Sequence, residues 1–98
     1  MADFRINYNK VISQAESIED LAVDLRRKIQ DLSGLQSYVR GEWTGPASSA
    51  FQKKLSELIT EMESTQSDMD SVASKIKTKA RSIQKEDERL AREAEEKL

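Results

Sequence analysis

Five acidic side chains lie close together in the second half of the chain and are the first candidates for chemistry. Paired carboxylates act as general acid and base when their surroundings raise the pKa of one of them. Here they fall between the apolar positions of a helical repeat, so we expect a solvated surface. A calcium loop would also need a glycine and a distal glutamate, which this segment lacks. The five are Glu57, Glu61, Glu63, Asp68 and Asp70.

Histidine and cysteine are both absent from the sequence. The commonest general base, thiol nucleophiles and the commonest nitrogen and sulfur metal ligands are therefore missing. We expect no catalytic residue, no metal and no cofactor, and hence a protein that is not an enzyme.

A short basic cluster, Lys75, Lys77, Lys79 and Arg81, could be interpreted as a phosphate-binding patch. Alternate residues of a helix point in different directions, so the four charges do not share one face. Acidic residues follow at 86–88, which predicts local ion pairing. The net charge is −2, and no apolar run reaches the ~20 residues of a membrane span. We expect neither nucleic-acid binding nor stable membrane insertion.

The elements that carry these residues follow from the hydrophobic pattern. Apolar side chains recur at alternating steps of three and four from Tyr8 to Trp43, with Gln36 as an interruption, and again from Phe51 to Ile76. That repeat keeps one seam facing a partner helix in a left-handed supercoil. The 98 residues include 35% charged and only 5% aromatic residues, too few bulky side chains for a thick globular core.

Residues that favour helix ends predict the boundaries of a single helical hairpin domain. Asn7 is a candidate N-cap, and Gly41 suits a left-handed C-terminal cap. Pro46 fits the first turn of a second helix and disfavours helical angles at Gly45. The predicted segments are helix 1 at about 8–40, an elbow at 41–46, helix 2 at about 46–82 and a charged tail at 83–98.

Two helices alone would leave a wide apolar stripe in water. The predicted fold is therefore an all-α, antiparallel helix-turn-helix hairpin that dimerises into a four-helix bundle. The residues expected in the hairpin or dimer core are Ile18, Leu25, Ile29, Leu32, Phe51, Leu55, Leu58, Met62 and Met69.

The triplet Trp43-Thr44-Gly45, centred in about 100 residues and followed by Ala47, Ala50 and Phe51, resembles the motif of the WXG100 family of ESAT-6-like proteins. The resemblance covers nearly the whole chain. It implies export by a type VII (ESX or Ess) secretion machinery, as a substrate and co-export partner. It also implies pairing with a second copy or a related protein, recognition by the secretion ATPase, and extracellular localisation after folding in the cytoplasm.

A tail motif of the family also bears on export. The Tyr-x-x-x-Asp/Glu signal of the best-known mycobacterial members is not matched, because Tyr8 and Tyr38 both lie in the first helix. A broader signal of Gram-positive members asks for a hydrophobic residue, an acid four positions later, and hydrophobic residues three and then four positions after that. It is matched by Ile83, Asp87, Leu90 and Ala94, and the same spacing suits any amphipathic helix.

Two alternatives remain open at this stage. The first is a dedicated heterodimer partner or chaperone of a larger toxin. The second is a filament subunit similar to type III secretion needle proteins, although these use a Pro-x-x-Pro turn and this chain has one proline. The segment Met1–Arg5 lacks the basic and apolar regions of a secretory signal, so we expect no cleaved signal peptide.

Overall fold

The chain forms a long hairpin of two antiparallel helices. A computed structural model describes residues 7–97; residues 1–6, where a secretory signal was considered, and Leu98 lie outside the described residues. Helix α1 spans Tyr8–Glu42 (35 residues) and helix α2 spans Pro46–Glu96 (51 residues). Within residues 7–97 the regular structure is entirely helical. The predicted all-α helix-turn-helix hairpin is confirmed.

Helix α1 begins where predicted and ends later. The Asn7 Oδ1 atom accepts a hydrogen bond from the Lys10 N–H at 3.1 Å, which confirms Asn7 as the N-cap. The prediction that Gly41 ends the helix is wrong. The helix passes through Gly41, and the Trp43 N–H still donates to the Val39 carbonyl at 2.8 Å. The backbone needs no left-handed residue here because the chain leaves the helix in an extended conformation at Trp43.

Helix α2 starts at Pro46 as predicted, but it continues to Glu96 instead of ending at about residue 82. The reason lies in the charged tail, which consists largely of good helix formers. Arg89 bridges Glu86 three residues before it and Glu93 four residues after it. These hydrogen bonds and charges hold the pKa of the Glu86 carboxyl below its ordinary value and support the last turns. The tail is thus a continuation of α2.

The core between the two helices is narrow, and the size of its buried side chains changes along the rod. Ile29, Leu55 and Ile59 form its middle, and Leu25, Leu32 and Met62 pack against them. The other buried apolar residues are alanines, which let the helices approach closely: Ala15, Ala22, Ala73 and Ala80. Packing therefore continues beyond Ile76, the last residue of the apolar repeat in the sequence.

One side of the hairpin carries ion pairs between the two helices. The Lys77 Nζ atom lies 2.7 Å from Glu19 Oε1, and the Arg26 Nη2 atom lies 3.7 Å from Asp70 Oδ2. Near the elbow, the Gln36 Nε2 atom donates to Ser56 Oγ at 2.6 Å. These three contacts between the helices lie at successive heights along the rod.

The other side of the hairpin is apolar and uncovered. Leu21 lies two residues after Glu19, and Val72 lies two residues after Asp70. Because two residues correspond to about 200° around a helix, Leu21 and Val72 point away from the ion pairs. We call this surface the apolar face; its exposed members are Leu21, Leu35, Phe51, Leu58 and Val72. Phe51 and Leu58, expected in a core, are thus exposed on the single hairpin, and their burial stays a prediction about the dimer.

The hairpin measures 80 × 19 × 15 Å. A helix with enough length and apolar character to cross a bilayer does not occur in the described part of the chain.

Candidate functional site

The elbow between the helices depends on Gly45. This residue has φ 110° and ψ 176°, a region of backbone space that is essentially restricted to glycine. A Cβ atom placed there would meet nothing within 4 Å, so the constraint comes from backbone conformation and not from crowding. Gly45 therefore allows Pro46 to start α2 directly after a reversal of the chain.

Trp43 joins the two helices at this end. Its carbonyl accepts a hydrogen bond from the Ser48 hydroxyl at 2.7 Å, and its ring lies 5.6 Å from the Phe51 ring, tilted by 49°. Ser48 is buried by this contact. The sequence reasoning missed Ser48, although a serine in the first turn of a helix is a known local hydrogen-bonding position. Trp43 thus packs against α2 and keeps part of its indole exposed.

The four residues of the candidate export signal lie at the opposite end of the rod, on α2. Their spacing of four, three and four residues places them along one side of the helix. Ile83 and Leu90 are each about half exposed, and Ala94 is exposed. The structure therefore presents two uncovered apolar side chains with Asp87 between them.

Asp87 has a partner in α1. The Tyr8 hydroxyl donates a hydrogen bond to Asp87 Oδ2, across 79 positions of sequence. This bond and the carboxylate charge raise the pKa of the Tyr8 phenol, because they favour its neutral form. The sequence analysis does not predict a contact between Tyr8 and Asp87. The first turn of α1 thus contacts the acidic residue of the candidate signal.

Beyond Asp87, α2 runs past the start of α1 at Tyr8. Residues 88–96 extend about 13 Å past the first turn of α1 at 1.5 Å per residue. A groove at the branch point is lined by Tyr8, Asp87, Leu90 and Ala91. Within residues 7–97, the candidate signal thus lies where α2 continues past the start of α1.

The charged clusters of the sequence have structural partners. Lys77 pairs with Glu19 of α1, whereas Glu86 pairs with Arg89 and Asp87 with Tyr8. The local ion pairing expected at residues 86–88 is present at Glu86, whose partner is Arg89, whereas Asp87 accepts a hydrogen bond from Tyr8. Across residues 7–97, the acidic side chains form no group of three or more that could hold a metal ion.

Comparison with known proteins assigns the chain to a family. The model of WXG100, described as proteins of 100 residues with WXG, matches residues 3–88. The match includes Trp43, Gly45, Ile83 and Asp87 and ends before Leu90. A search of curated proteins finds no match. Small ESAT-6-like substrates of type VII secretion make up this family. With a family match over most of its length and a Trp-x-Gly elbow between two antiparallel helices, the chain belongs to the WXG100 family.

Proposed function

We propose that this protein is a non-enzymatic substrate and co-export partner of a type VII secretion machinery, exported as a folded pair of hairpins. The distal end of α2 carries this proposal. There, an ordered helix presents half-exposed Ile83 and Leu90 on either side of Asp87. A secretion ATPase could therefore contact two apolar side chains, Ile83 and Leu90, with the carboxylate of Asp87 between them.

Pairing of two hairpins is part of the proposal. In one chain, the 35 residues of α1 separate Trp43 from Asp87 by about 50 Å at 1.5 Å per residue. A single hairpin therefore cannot combine its elbow and its signal in one recognition surface. An antiparallel second hairpin would place the elbow of one copy beside the signal of the other and would cover the apolar face.

The exposed area also favours pairing. The chain exposes 7790 Å², whereas roughly 5700 Å² is typical of a compact monomer of this size. The excess of roughly 2000 Å² exceeds the ~800 Å² that each partner buries in a standard interface. A four-helix bundle of two hairpins would bury part of this excess exposed area.

A secretion assay with two adjacent acidic residues tests the export role. We expect Asp87→Ala to abolish secretion from a host with the matching type VII system. We expect Glu88→Ala to leave it unchanged, because Glu88 lies one residue away, about 100° around the helix. Tyr8→Phe removes the hydrogen bond to Asp87 but keeps the carboxylate, and so separates recognition of Asp87 from its positioning. Equal secretion of the Asp87 and Glu88 variants would contradict the proposal.

A truncation gives a second, independent readout. Because Tyr8 contacts Asp87, a chain ending at Asp87 keeps this contact and loses residues 88–98. We expect such a chain to keep its helical circular dichroism spectrum and its oligomeric state but to remain in the cell. Normal secretion of a folded truncated chain would show that the projecting helix is only a solvated extension.

A further inference from the structure

The side chain of Tyr8 lies beside most of the candidate export signal. Its hydroxyl donates a hydrogen bond to Asp87 Oδ2. Tyr8 also lines two separate grooves on α2: one of about 350 Å³ that includes Ile83, and one of about 570 Å³ that includes Leu90. A single residue of α1 therefore adjoins three of the four residues of the signal.

The position of Tyr8 is fixed by the start of α1 and by the packing of the two helices. Asn7 caps this turn, because its Oδ1 atom accepts the Lys10 N–H and its carbonyl accepts the Val11 N–H, both at 3.1 Å. About two turns farther along α1, Ala15 is buried and lets α1 lie close to α2. Tyr8 is therefore brought to the signal by tertiary packing and not by the local sequence of α2.

The contact with Tyr8 leaves the signal accessible to a second protein. Ile83 and Leu90 are 44% and 50% exposed with Tyr8 in place. A carboxylate can accept several hydrogen bonds, so the bond from Tyr8 restricts the orientation of Asp87 and leaves acceptor sites for another donor. A protein that binds this row of side chains therefore also meets Tyr8.

We infer that Tyr8 is a positioning residue of the export signal, and that the surface recognised for secretion includes the first turn of α1. This inference rests on the proposed function and adds a condition to it. The signal is complete only where α1 packs on α2 at this end of the rod, so a chain with an open hairpin presents α2 without Tyr8. Recognition of this composite surface thus selects folded hairpins for export.

Secretion of two tyrosine variants of the full-length protein tests the role of Tyr8. Tyr8→Phe removes the donor to Asp87 but keeps the ring, and we expect a loss of secretion. Tyr38→Phe is the matched control, because it removes the same hydroxyl from a tyrosine of α1 that is 68% exposed. Its secretion should stay at the wild-type level. Urea unfolding and circular dichroism of both variants separate a loss of secretion from a loss of the fold.

A double-variant cycle shows whether Tyr8 acts through Asp87. Asp87→Glu keeps a carboxylate but moves it away from the backbone by one methylene group. If Tyr8 positions this carboxylate, Tyr8→Phe should reduce secretion by a smaller factor in the Asp87→Glu chain than in the wild type, because the two changes act on one contact. A residue that only stabilises the hairpin would reduce secretion by the same factor in both chains.

The possible outcomes separate this inference from the proposed function. Wild-type secretion of a folded Tyr8→Phe protein would overturn the inference, and so would an equal factor in both chains of the cycle. A loss of secretion that follows a loss in the free energy of unfolding would also overturn it, since Tyr8 would then act on the fold. The export function itself depends on the Asp87→Ala assay. If that variant is secreted normally, the proposed function fails, whatever the effect of Tyr8→Phe.

Discussion

Leu58 and Ile59 are neighbours whose side chains serve different interfaces, so a matched pair of alanine variants can separate dimerisation from hairpin folding. Leu58 is 46% exposed on the apolar face, and Ile59 is 7% exposed in the hairpin core. Leu58→Ala and Ile59→Ala each remove three carbon atoms. Complete burial of three such groups is worth about 2.4 kcal/mol at ~0.8 kcal/mol each.

The exposures divide this free energy between the two interfaces. For Leu58→Ala about half of the loss, ~1.3 kcal/mol, falls on the hairpin, and the remaining ~1.1 kcal/mol per copy falls on the dimer. Because both copies lose it, the dimer is weakened by ~2.2 kcal/mol, or about 40-fold in Kd. For Ile59→Ala nearly all of the loss falls on the free energy of hairpin unfolding, and the Kd between folded copies stays unchanged.

Sedimentation equilibrium measures the Kd of each variant, and urea unfolding at fixed protein concentration measures stability. We expect a 40-fold weaker dimer for Leu58→Ala and a wild-type Kd for Ile59→Ala at concentrations where both are folded. An unchanged Kd for Leu58→Ala would refute the reasoning, because Leu58 would then not lie in an interface. Equal effects of both variants on Kd would show that folding and pairing cannot be separated.

Three further predictions concern single contacts. In a Tyr38→Phe background, ultraviolet titration should show the Tyr8 phenol ionising above its ordinary pKa, and Asp87→Asn should lower that pKa. The Tyr8–Asp87 hydrogen bond therefore stabilises the fold fully at pH values below the ordinary tyrosine pKa. This stabilisation is lost as the pH rises through the raised pKa of Tyr8 in the folded protein. Gly45→Ala should lower the free energy of unfolding in urea by about 1–3 kcal/mol, because alanine disfavours the positive φ of this position. Gly34→Ala, inside α1 with open space around it, should raise the free energy of unfolding by about 0.5–1 kcal/mol. Equal effects of the two substitutions would contradict the role of the positive φ. A double-mutant cycle at Glu19 and Lys77 should give a coupling of about 0.5–1 kcal/mol that falls in high salt, and a salt-independent coupling would show that the pair acts through packing.

Much of the fold follows from local preferences of residues that can be recognised in the sequence. The repeat of three and four residues determines two long helices and an apolar stripe on each. Asn7 caps α1 through its own side chain, and Pro46 can only begin a helix at its first turn. Gly45 is the residue of the elbow that can adopt the required backbone angles. The Trp-x-Gly triplet in this setting also indicates the family.

Tertiary structure decided which part of each stripe is covered. The repeat treats Leu58 and Leu55 alike, yet Leu55 is buried between the helices and Leu58 faces outward. That distinction depends on how each helix is rotated about its own axis against its neighbour. Likewise, the contact of Tyr8 with Asp87 depends on the register of two helices joined 40 residues away. A periodic sequence specifies the width of an apolar surface, but the register, and with it each long-range partner, is determined only when the helices pack.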